Sequence, residues 1–483
     1  MTTTTTALAP VPVRPSPASP SSAPSSLGPL ALFTVLLGAA LPLVDFFIVN
    51  VALPTIDREL AAGPAVLELV VAGYGVAYAV LLVLGGRLGD MFGRRRLFLW
   101  GMAAFGLTSL ACGLAPDAGT LVAARVAQGA ASALMLPQVL ATIQASTAGE
   151  RRAKAMGLYG ATAGLAGVAG QILGGVLVAA DLAGTGWRSI FLVNVPVVLL
   201  GLLLAARSVP ESRSERPAPV DVPGTLLLAL SLLTLLVPLT EGRAAGWPLW
   251  TWVSLGAFPF VALAFFLVER RADRAGRVPL VPPSMFAVAS MRRGLPPIVP
   301  FSVNFGGYMF VLAVALQQGL GKGAVAAGMT LVPMALAYFG ASLAGPKLIG
   351  RWGGRVAVAG SLIQATGFLV LVGVVWREWP ELGFGALLPA MVLTGLGQGL
   401  QLPVLMRIVL SEVPAERAGV GSGVMVTAQQ AALGLGVATL GTLFLGLAEG
   451  VGMRGALVWT VLVQVAVAGV TGLLSLRLPR EVV

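Results

Sequence analysis

The amino-acid sequence predicts an all-α polytopic membrane protein: fourteen transmembrane helices, arranged as two six-helix bundles with a two-helix hairpin inserted between them. Three observations predict it. Apolar runs of membrane-crossing length recur along the whole chain. Of the 483 residues, 57% are hydrophobic and only 11% charged, with a mean hydropathy of +0.90. Two glycine- and arginine-rich stretches also echo each other at a separation of 260 residues. A water-soluble globule would alternate its apolar segments with polar surface. Here about 20 apolar residues at a time match the hydrocarbon of a bilayer, where a helix satisfies its own backbone polar groups.

Residues 1–27 are rich in Thr, Pro, Ala and Ser, with Arg14 the single basic residue. They lack the apolar core of a signal peptide and read as a disordered cytoplasmic tail. Apolar segments follow at roughly 30–52, 67–86, 97–115, 119–142, 153–180, 190–207, 222–240, 250–268, 292–318, 325–345, 356–376, 385–409, 418–447 and 455–476. With the N-terminus in the cytoplasm, 24 Lys and Arg residues fall in cytoplasmic loops and tails. Six fall in outer loops, and Arg125 alone lies within a helix. Such asymmetry places both termini in the cytoplasm of a protein of the cytoplasmic membrane. Trp187, Trp247, Trp250, Trp252, Trp376 and Trp379 fall at outer helix ends, as an aromatic belt would place them.

Internal repetition divides the chain. Gly345–Arg355, GPKLIGRWGGR, overlays Gly86–Arg96, GRLGDMFGRRR, when shifted by 260 residues, matching Leu88 to Leu348, Gly93 to Gly353 and Arg95 to Arg355. A shift of 266 places Gly129 on Gly395, Leu136–Pro137 on Leu402–Pro403 and Glu150–Arg151 on Glu416–Arg417. The domains read as an N-terminal bundle over 28–208, a linker with two extra helices over 209–290 and a C-terminal bundle over 291–478. A short cytoplasmic tail, 479–483, follows. Parallel repeats of this kind mark transporters whose halves rock about a midplane site.

Composition excludes several function classes. There is no histidine and one cysteine, Cys112, inside an apolar segment. Histidine acid–base catalysis, the common zinc sites and intrachain disulfides therefore drop out, and no metal site or cofactor is expected. The net charge of +11 lies in short loops and not on a soluble basic module, so nucleic acid is not an expected partner. No GxxxxGK[ST] loop is present to hold nucleotide phosphates. The expected partners are a small molecule and the lipid bilayer, and transport is expected to draw on an ion gradient.

Asp45 is the only acid expected deep inside a helix. Burial penalises its charged form unless a cation is near, which makes it a proton-carrier candidate; a static hydrogen bond to a neighbouring helix is the plainer reading. At 1.5 Å per residue, Asp45 lies about 12 Å and Arg125 about 9 Å below the outer ends of their helices, so the two share a layer. Arg125 is expected to bind Asp45 in one conformation and leave it in the other, or else to form a static ion pair. Glycines 157, 160, 164, 167, 170 and 174 fall within an arc of about 140° on helix five. The stripe Gly160, Gly164, Gly167, Gly170 and Gly174 allows a close helix partner, as a sliding surface between halves or as plain packing. Tyr74, Gln128, Asn304, Gln318, Gln401, Gln429 and Gln430 are polar residues in otherwise apolar helices; they are candidate substrate contacts or pair with one another. An apolar cavity with amides and one acid suits amphipathic molecules.

These motifs resemble the major facilitator superfamily, and within it the fourteen-helix drug:proton antiporter branch. LVDFFIVNVALP at Leu43–Pro54 is similar to that branch's Asp-containing first-helix signature. GRLGDMFGRRR is similar to the superfamily's loop between helices two and three, RVAQG at Arg125–Gly129 to its fourth-helix arginine motif, and WRSIFLVNVP at Trp187–Pro196 to the pattern leading into helix six. Gln171 departs from the fifth-helix pattern, which has proline there, so any kink must come from glycine. The resemblance implies a secondary transporter and not an enzyme, exporting drugs or other small amphipathic compounds by proton-coupled alternating access. Uptake of a metabolite by the same fold is the alternative; a membrane sensor or a lipid-modifying enzyme is a remoter one. It also implies that Gly86, Asp90, Gly93, Arg94 and Arg95 form a conformational latch, with Asp90 docking near Ala418 at the start of helix thirteen.

Overall fold

The computed structural model describes residues 27–213, 221–242, 245–277, 279–414 and 418–479. The expected tails therefore lie almost wholly outside the described residues. Every regular element among them is helical. The first half contains α1 (Pro29–Leu60), α2 (Gly63–Phe92), α3 (Arg94–Gly113), α4 (Ala118–Ser146) and α5 (Gly149–Ala180). Its sixth crossing, Gly186–Ser208, is assembled from short turns, α6 (Ser189–Leu192) and α7 (Asn194–Ser208). The inserted hairpin is α8 (Val222–Glu241) and α9 (Leu249–Arg274). The second half contains α10 (Ala289–Val314), α11 (Ala324–Trp352), α12 (Arg355–Glu378), α13 (Phe384–Leu410) and α14 (Ala418–Ser475).

Thirteen described stretches are long and apolar enough to cross a membrane, the last being Val420–Ser475. Its 56 residues would extend about 84 Å as one helix, nearly three hydrocarbon thicknesses. The chain instead turns at Gly452, whose φ of 72° and ψ of 166° are left to glycine by the absence of a Cβ. The two expected segments 418–447 and 455–476 are the arms of this element, which is long enough for the two crossings that the expected fourteen require.

The repeat is visible in the packing. A Cβ built on Gly129 of α4 would lie 2.2 Å from the Tyr74 carbonyl oxygen of α2, and one on Gly395 of α13 would lie 2.1 Å from the Met334 carbonyl oxygen of α11. Tyr74 and Met334 are themselves 260 positions apart. In each half this helix pair is drawn to backbone contact at equivalent glycines, the role small residues take in membrane bundles. Gly93 and Gly353, also equivalent, close α2 and α11 with positive φ, 102° and 55°.

The two halves meet where α5 packs on α11 and α13, and where α2 packs on α14. Helix α8 lies against α2 and also touches α14, while α9 is mostly exposed on the far side of the hairpin. Both described chain ends reach the arginine-rich end of the molecule. There the Leu27 amide donates to the Ser146 carbonyl at 3.4 Å, and the Gly354 amide to the Pro479 carbonyl at 2.9 Å.

Three expectations change. The charged loop at Gly86–Arg96 is helical up to Phe92, with Gly93 alone between α2 and α3. Helix α1 runs eight residues past its expected end at 52, carrying Asp57, Arg58 and Glu59 on its outermost turn, where polar side chains reach water. Trp187 does not join an aromatic belt: it is fully buried, donating to Glu59 Oε2 at 2.8 Å and packing edge-on against Phe191. Trp250, Trp252 and Trp376 are exposed, as a belt requires.

Gly129→Ala and Gly395→Ala should each lower the melting temperature of the detergent-purified protein by several degrees, since backbone must move to admit the Cβ. Gly340→Ala and Gly373→Ala, where an added Cβ meets nothing within 4 Å, should leave it unchanged; thermal size-exclusion profiles make the comparison.

Candidate functional site

Arg125 is fully buried among five helices, and its surroundings are built to hold the charge. Its Nη1 pairs with Asp45 Oδ2 and donates to Gln128 Oε1 at 2.8 Å, and its Nε donates to the Val70 carbonyl at 3.1 Å. Its guanidinium lies 4.2 Å from the centre of the Tyr74 ring, so the π face takes up charge that no acceptor meets. Asp45 is equally buried. Its second oxygen accepts from Gln128 Nε2 at 3.0 Å and Asn194 Nδ2 at 2.9 Å. Ser109 completes the layer, accepting from Gln128 at 3.0 Å and Asn194 at 2.9 Å and donating to the Phe191 carbonyl at 3.2 Å. Cys112 donates to Gln128 Oε1 at 3.6 Å.

The chemistry follows from this donor set. Asp45 receives three donors and offers none, the arrangement of an ionised carboxylate. A charge pair in hydrocarbon survives only when its remaining polar atoms are matched, and breaking such a pair costs about 3–5 kcal/mol. Arg125 has acceptors besides Asp45 in place, so it keeps partners when the carboxylate takes a proton.

Of the candidate substrate contacts, Tyr74 and Gln128 belong to this closed layer and not to a cavity. The Tyr74 hydroxyl bonds the Pro42 carbonyl at 3.0 Å and Ser132 at 2.8 Å, and the Gln128 amide is fully bonded. Gln401 likewise bonds inside the second half, donating to Gln364 at 2.8 Å and accepting from Ser361 at 2.9 Å. Asn304 donates to the Gln464 carbonyl at 3.1 Å. Gln318 is exposed in the π-helical turn Ala315–Gly319 that follows α10. Gln429 and Gln430 do line a cavity, one formed between the halves with Tyr159, Phe301, Phe305 and Tyr338. Its volume is about 40 Å³, far below the roughly 300–1,000 Å³ of sites that enclose drug-sized ligands. Ser302 is a cavity residue that sequence reasoning missed; its buried hydroxyl has no hydrogen-bond partner among the described residues. A larger apolar groove, about 360 Å³, runs between α2, α4 and α8. Its lining comes from the first half and the hairpin, with no residue of the second half, so the smaller cavity is the candidate substrate site.

The glycine stripe of α5 divides between two partners. Gly160 and Gly164 face the second half: added Cβ atoms would lie 2.7 Å from Pro403 and 2.1 Å from the Tyr338 ring. Gly170 and Gly174 face α1, 2.6 Å from the Val44 carbonyl and 2.8 Å from that of Ile48, and Gly167 lies beside Phe47. At the basic end, Gly86 is buried and Asp90 pairs with Arg94 at 2.9 Å, on its own stretch of chain. Gly93 suits glycine because its φ is 102°, and its bare Cα lets the Glu211 carboxylate of the linker come close. Arg94 donates its amide to the Ser212 carbonyl at 2.8 Å, and Arg95 donates its side chain to the Ala206 carbonyl and its amide to Glu211 at 3.2 Å. The side chain of Ala418 lies outside the described residues. The nearby contact between halves is Gly423, whose Cβ would lie 3.5 Å from Val83 Cα.

Ser109, Cys112, Ser132 and Asn194 were not foreseen as members of the charged layer. Asn194 had a signal, being the one amide in WRSIFLVNVP; hydroxyls and a lone thiol are too common in apolar helices to stand out.

The family model of the Major Facilitator Superfamily matches residues 35–438. A probable actinorhodin transporter of Streptomyces coelicolor is 36% identical over 86% of this chain and 72% of its own length. The puromycin resistance protein of Streptomyces alboniger is 36% identical over 86% and 81%, and the multidrug resistance protein Stp of Mycobacterium tuberculosis is 33% identical over 86% and 75%. Among solved structures, a human organic anion transporter superposes with a TM-score of 0.64 at 15% identity, covering 92% of this chain and 100% of its own. A proton:xylose symporter gives the same score and identity over 92% and 94%. These two structures share the fold.

Arg125→Leu and Asp45→Leu should each destabilise the protein by about 3–5 kcal/mol, because each strands the other charge. The double variant should lose much less than the sum, as read from denaturant unfolding in mixed micelles.

Proposed function

The chain belongs to the Major Facilitator Superfamily, and from that membership we propose that it exports small amphipathic compounds across the cytoplasmic membrane in exchange for protons, by alternating access to the cavity between its halves. Relatives named for transport of, or resistance to, actinorhodin, puromycin and multiple drugs support export. The basic end faces the cytoplasm, in keeping with the positive-inside rule.

The buried Asp45–Arg125 pair carries the proton half of the reading. Helix α1 presents Asp45 to this pair while Leu43 and Phe47, two residues to either side, form part of the cavity wall. On a helix, positions two apart face nearly opposite ways, about 200° round the axis, while Leu43 and Phe47, four apart, share a face, so one helix touches both the charge layer and the substrate space. Protonation of Asp45 weakens its hold on Arg125, which retains Val70, Gln128 and the Tyr74 ring, and α1 is then free to shift against Gly170 and Gly174. Movement of Leu43 and Phe47 reshapes the cavity. Gly160 and Gly164 give α5 its closest contacts with the second half, and the Gly86–Arg96 stretch ties α2 and α3 to the linker. Apolar walls with the Gln429 and Gln430 amides and the Ser302 hydroxyl suit a flat amphipathic molecule. Its energy comes from the proton gradient, each charge crossing being worth about 2.3 kcal/mol per 100 mV.

Inverted vesicles carrying the wild-type protein should accumulate such a compound, with puromycin as the first probe of a drug panel, when a proton gradient is imposed. Asp45→Asn should lose gradient-driven accumulation; accumulation at the wild-type rate would remove the proposed role of Asp45, and flux of opposite sign would make the protein an importer.

A further inference from the structure

The inserted hairpin carries a second buried acidic site, remote from Asp45. Glu269, on the last turns of α9, is 1% exposed. One of its oxygens, Oε2, accepts from the Val281 amide at 2.6 Å. The other, Oε1, has no hydrogen-bond donor among the described residues. It is directed at Asp221, the residue that caps α8 by accepting from the Gly224 amide at 2.9 Å. Asp221 Oδ2 also accepts from the Leu280 amide at 3.1 Å. Room for both carboxyls exists because residue 224 is glycine: a Cβ there would lie 2.2 Å from Glu269 Oε1 and 2.7 Å from Asp221 Oδ2.

Two carboxylates crowded against the same glycine repel, and neither brings a donor. A proton between them removes the repulsion and supplies the donor that Glu269 Oε1 lacks. Other groups facing the site do not replace it. The segment 279–287 offers only backbone groups, having no charged side chain. Helix α2 offers Arg87, which donates from Nη2 to the Leu280 carbonyl at 3.0 Å and whose positive charge also reaches Glu269, offsetting part of the repulsion. On α9 itself Asp273 is taken up by the Ser284 amide at 3.1 Å. Leu280 is thus held from both sides, its amide by Asp221 and its carbonyl by Arg87 of the GRLGDMFGRRR stretch.

We propose that Asp221 and Glu269 form a proton-binding site on the hairpin, one proton shared between the two carboxyls, and that the protonated pair clamps linker residues Leu280 and Val281 to the basic end of α2. The clamp is closed while the proton is bound. As the pH rises and the proton leaves, two like charges are left in contact and the linker loosens from α2, where α2 meets the second half. Linkage gives the sign: a carboxyl that holds its proton more tightly in the clamped state stabilises that state at low pH and loses the contribution as pH rises. The site is independent of substrate chemistry and of Asp45, so it stands or falls separately from the export reading.

Two measurements on the full-length protein in liposomes test it. In infrared difference spectra between mildly acidic and mildly alkaline buffer, the wild type should show a protonated-carboxyl band absent from both Glu269→Gln and Asp221→Asn, since the proton belongs to the pair. Tryptic nicking at the exposed linker residues Arg274 and Arg277 should accelerate with pH in the wild type, relative to the same digestion of Glu269→Gln, whose neutral amide still donates to Asp221. Gly224→Ala should be nicked rapidly at every pH. A carboxyl band that survives in both variants, or nicking of Glu269→Gln with the pH dependence of the wild type, would overturn the proposal.

Discussion

A guanidinium held in hydrocarbon is the constraint on which the first half is built. Arg125 stays charged at any relevant pH, so the bundle must supply a counter-charge, acceptors and a polarisable face within its reach. Asp45 supplies the charge, Val70 and Gln128 the acceptors, and Tyr74 the face. Gly129, one turn beyond Arg125 on α4, makes this possible: without a Cβ it lets the Tyr74 backbone come into contact, which sets the ring under the guanidinium. Ser109 and Asn194 then satisfy what Asp45 and Gln128 leave over.

The second half keeps the frame and drops the charge. The shift of 266 that relates Gly129 to Gly395 sets Met391 opposite Arg125. There the Tyr308 hydroxyl meets the Met391 sulfur at 3.7 Å, a weak contact between largely apolar groups. Similar helix packing therefore serves two purposes: one bundle holds a buried ion pair, and the other offers its partner a neutral surface. That asymmetry also appears at the basic end, where Asp90 of the first half corresponds to Gly350 of the second. Helix α1 joins these parts, since it carries the carboxylate on one side, lines the cavity with Leu43 and Phe47, and rests on the α5 glycines.

Much of this was legible in the amino-acid order, for physical reasons that differ by residue. Long apolar runs announce crossings because backbone cannot be left unpaired in lipid, and an acid and an arginine at matching depth announce themselves by their cost. Depth along a helix follows from counting, and azimuth does not. Gln128, Gln401 and Gln429 therefore read alike in the sequence, as cavity amides or as amides that pair with other groups, and the first serves Asp45 and Arg125, the second bonds Gln364, and the third lines the cavity. Gly86–Arg96 read as a loop because its charges suggested water, yet only Gly93 leaves the helix. The pairing of Asp221 with Glu269 links residues 48 positions apart, in a contact no local pattern encodes. Asp90 is bonded to Arg94 one turn away, while the side chain of Ala418, its expected docking partner, lies outside the described residues.

The central claim is that proton and substrate compete through α1, the proton at Asp45 and the substrate beside Leu43 and Phe47. The most direct measurement counts protons released into weakly buffered detergent solution when a transported compound is added to the purified protein. The wild type, first equilibrated in acid so that Asp45 carries its proton and has let go of Arg125, should release protons on binding, and Asp45→Asn should release none, with the compound still bound. Equal release from both proteins would contradict the account.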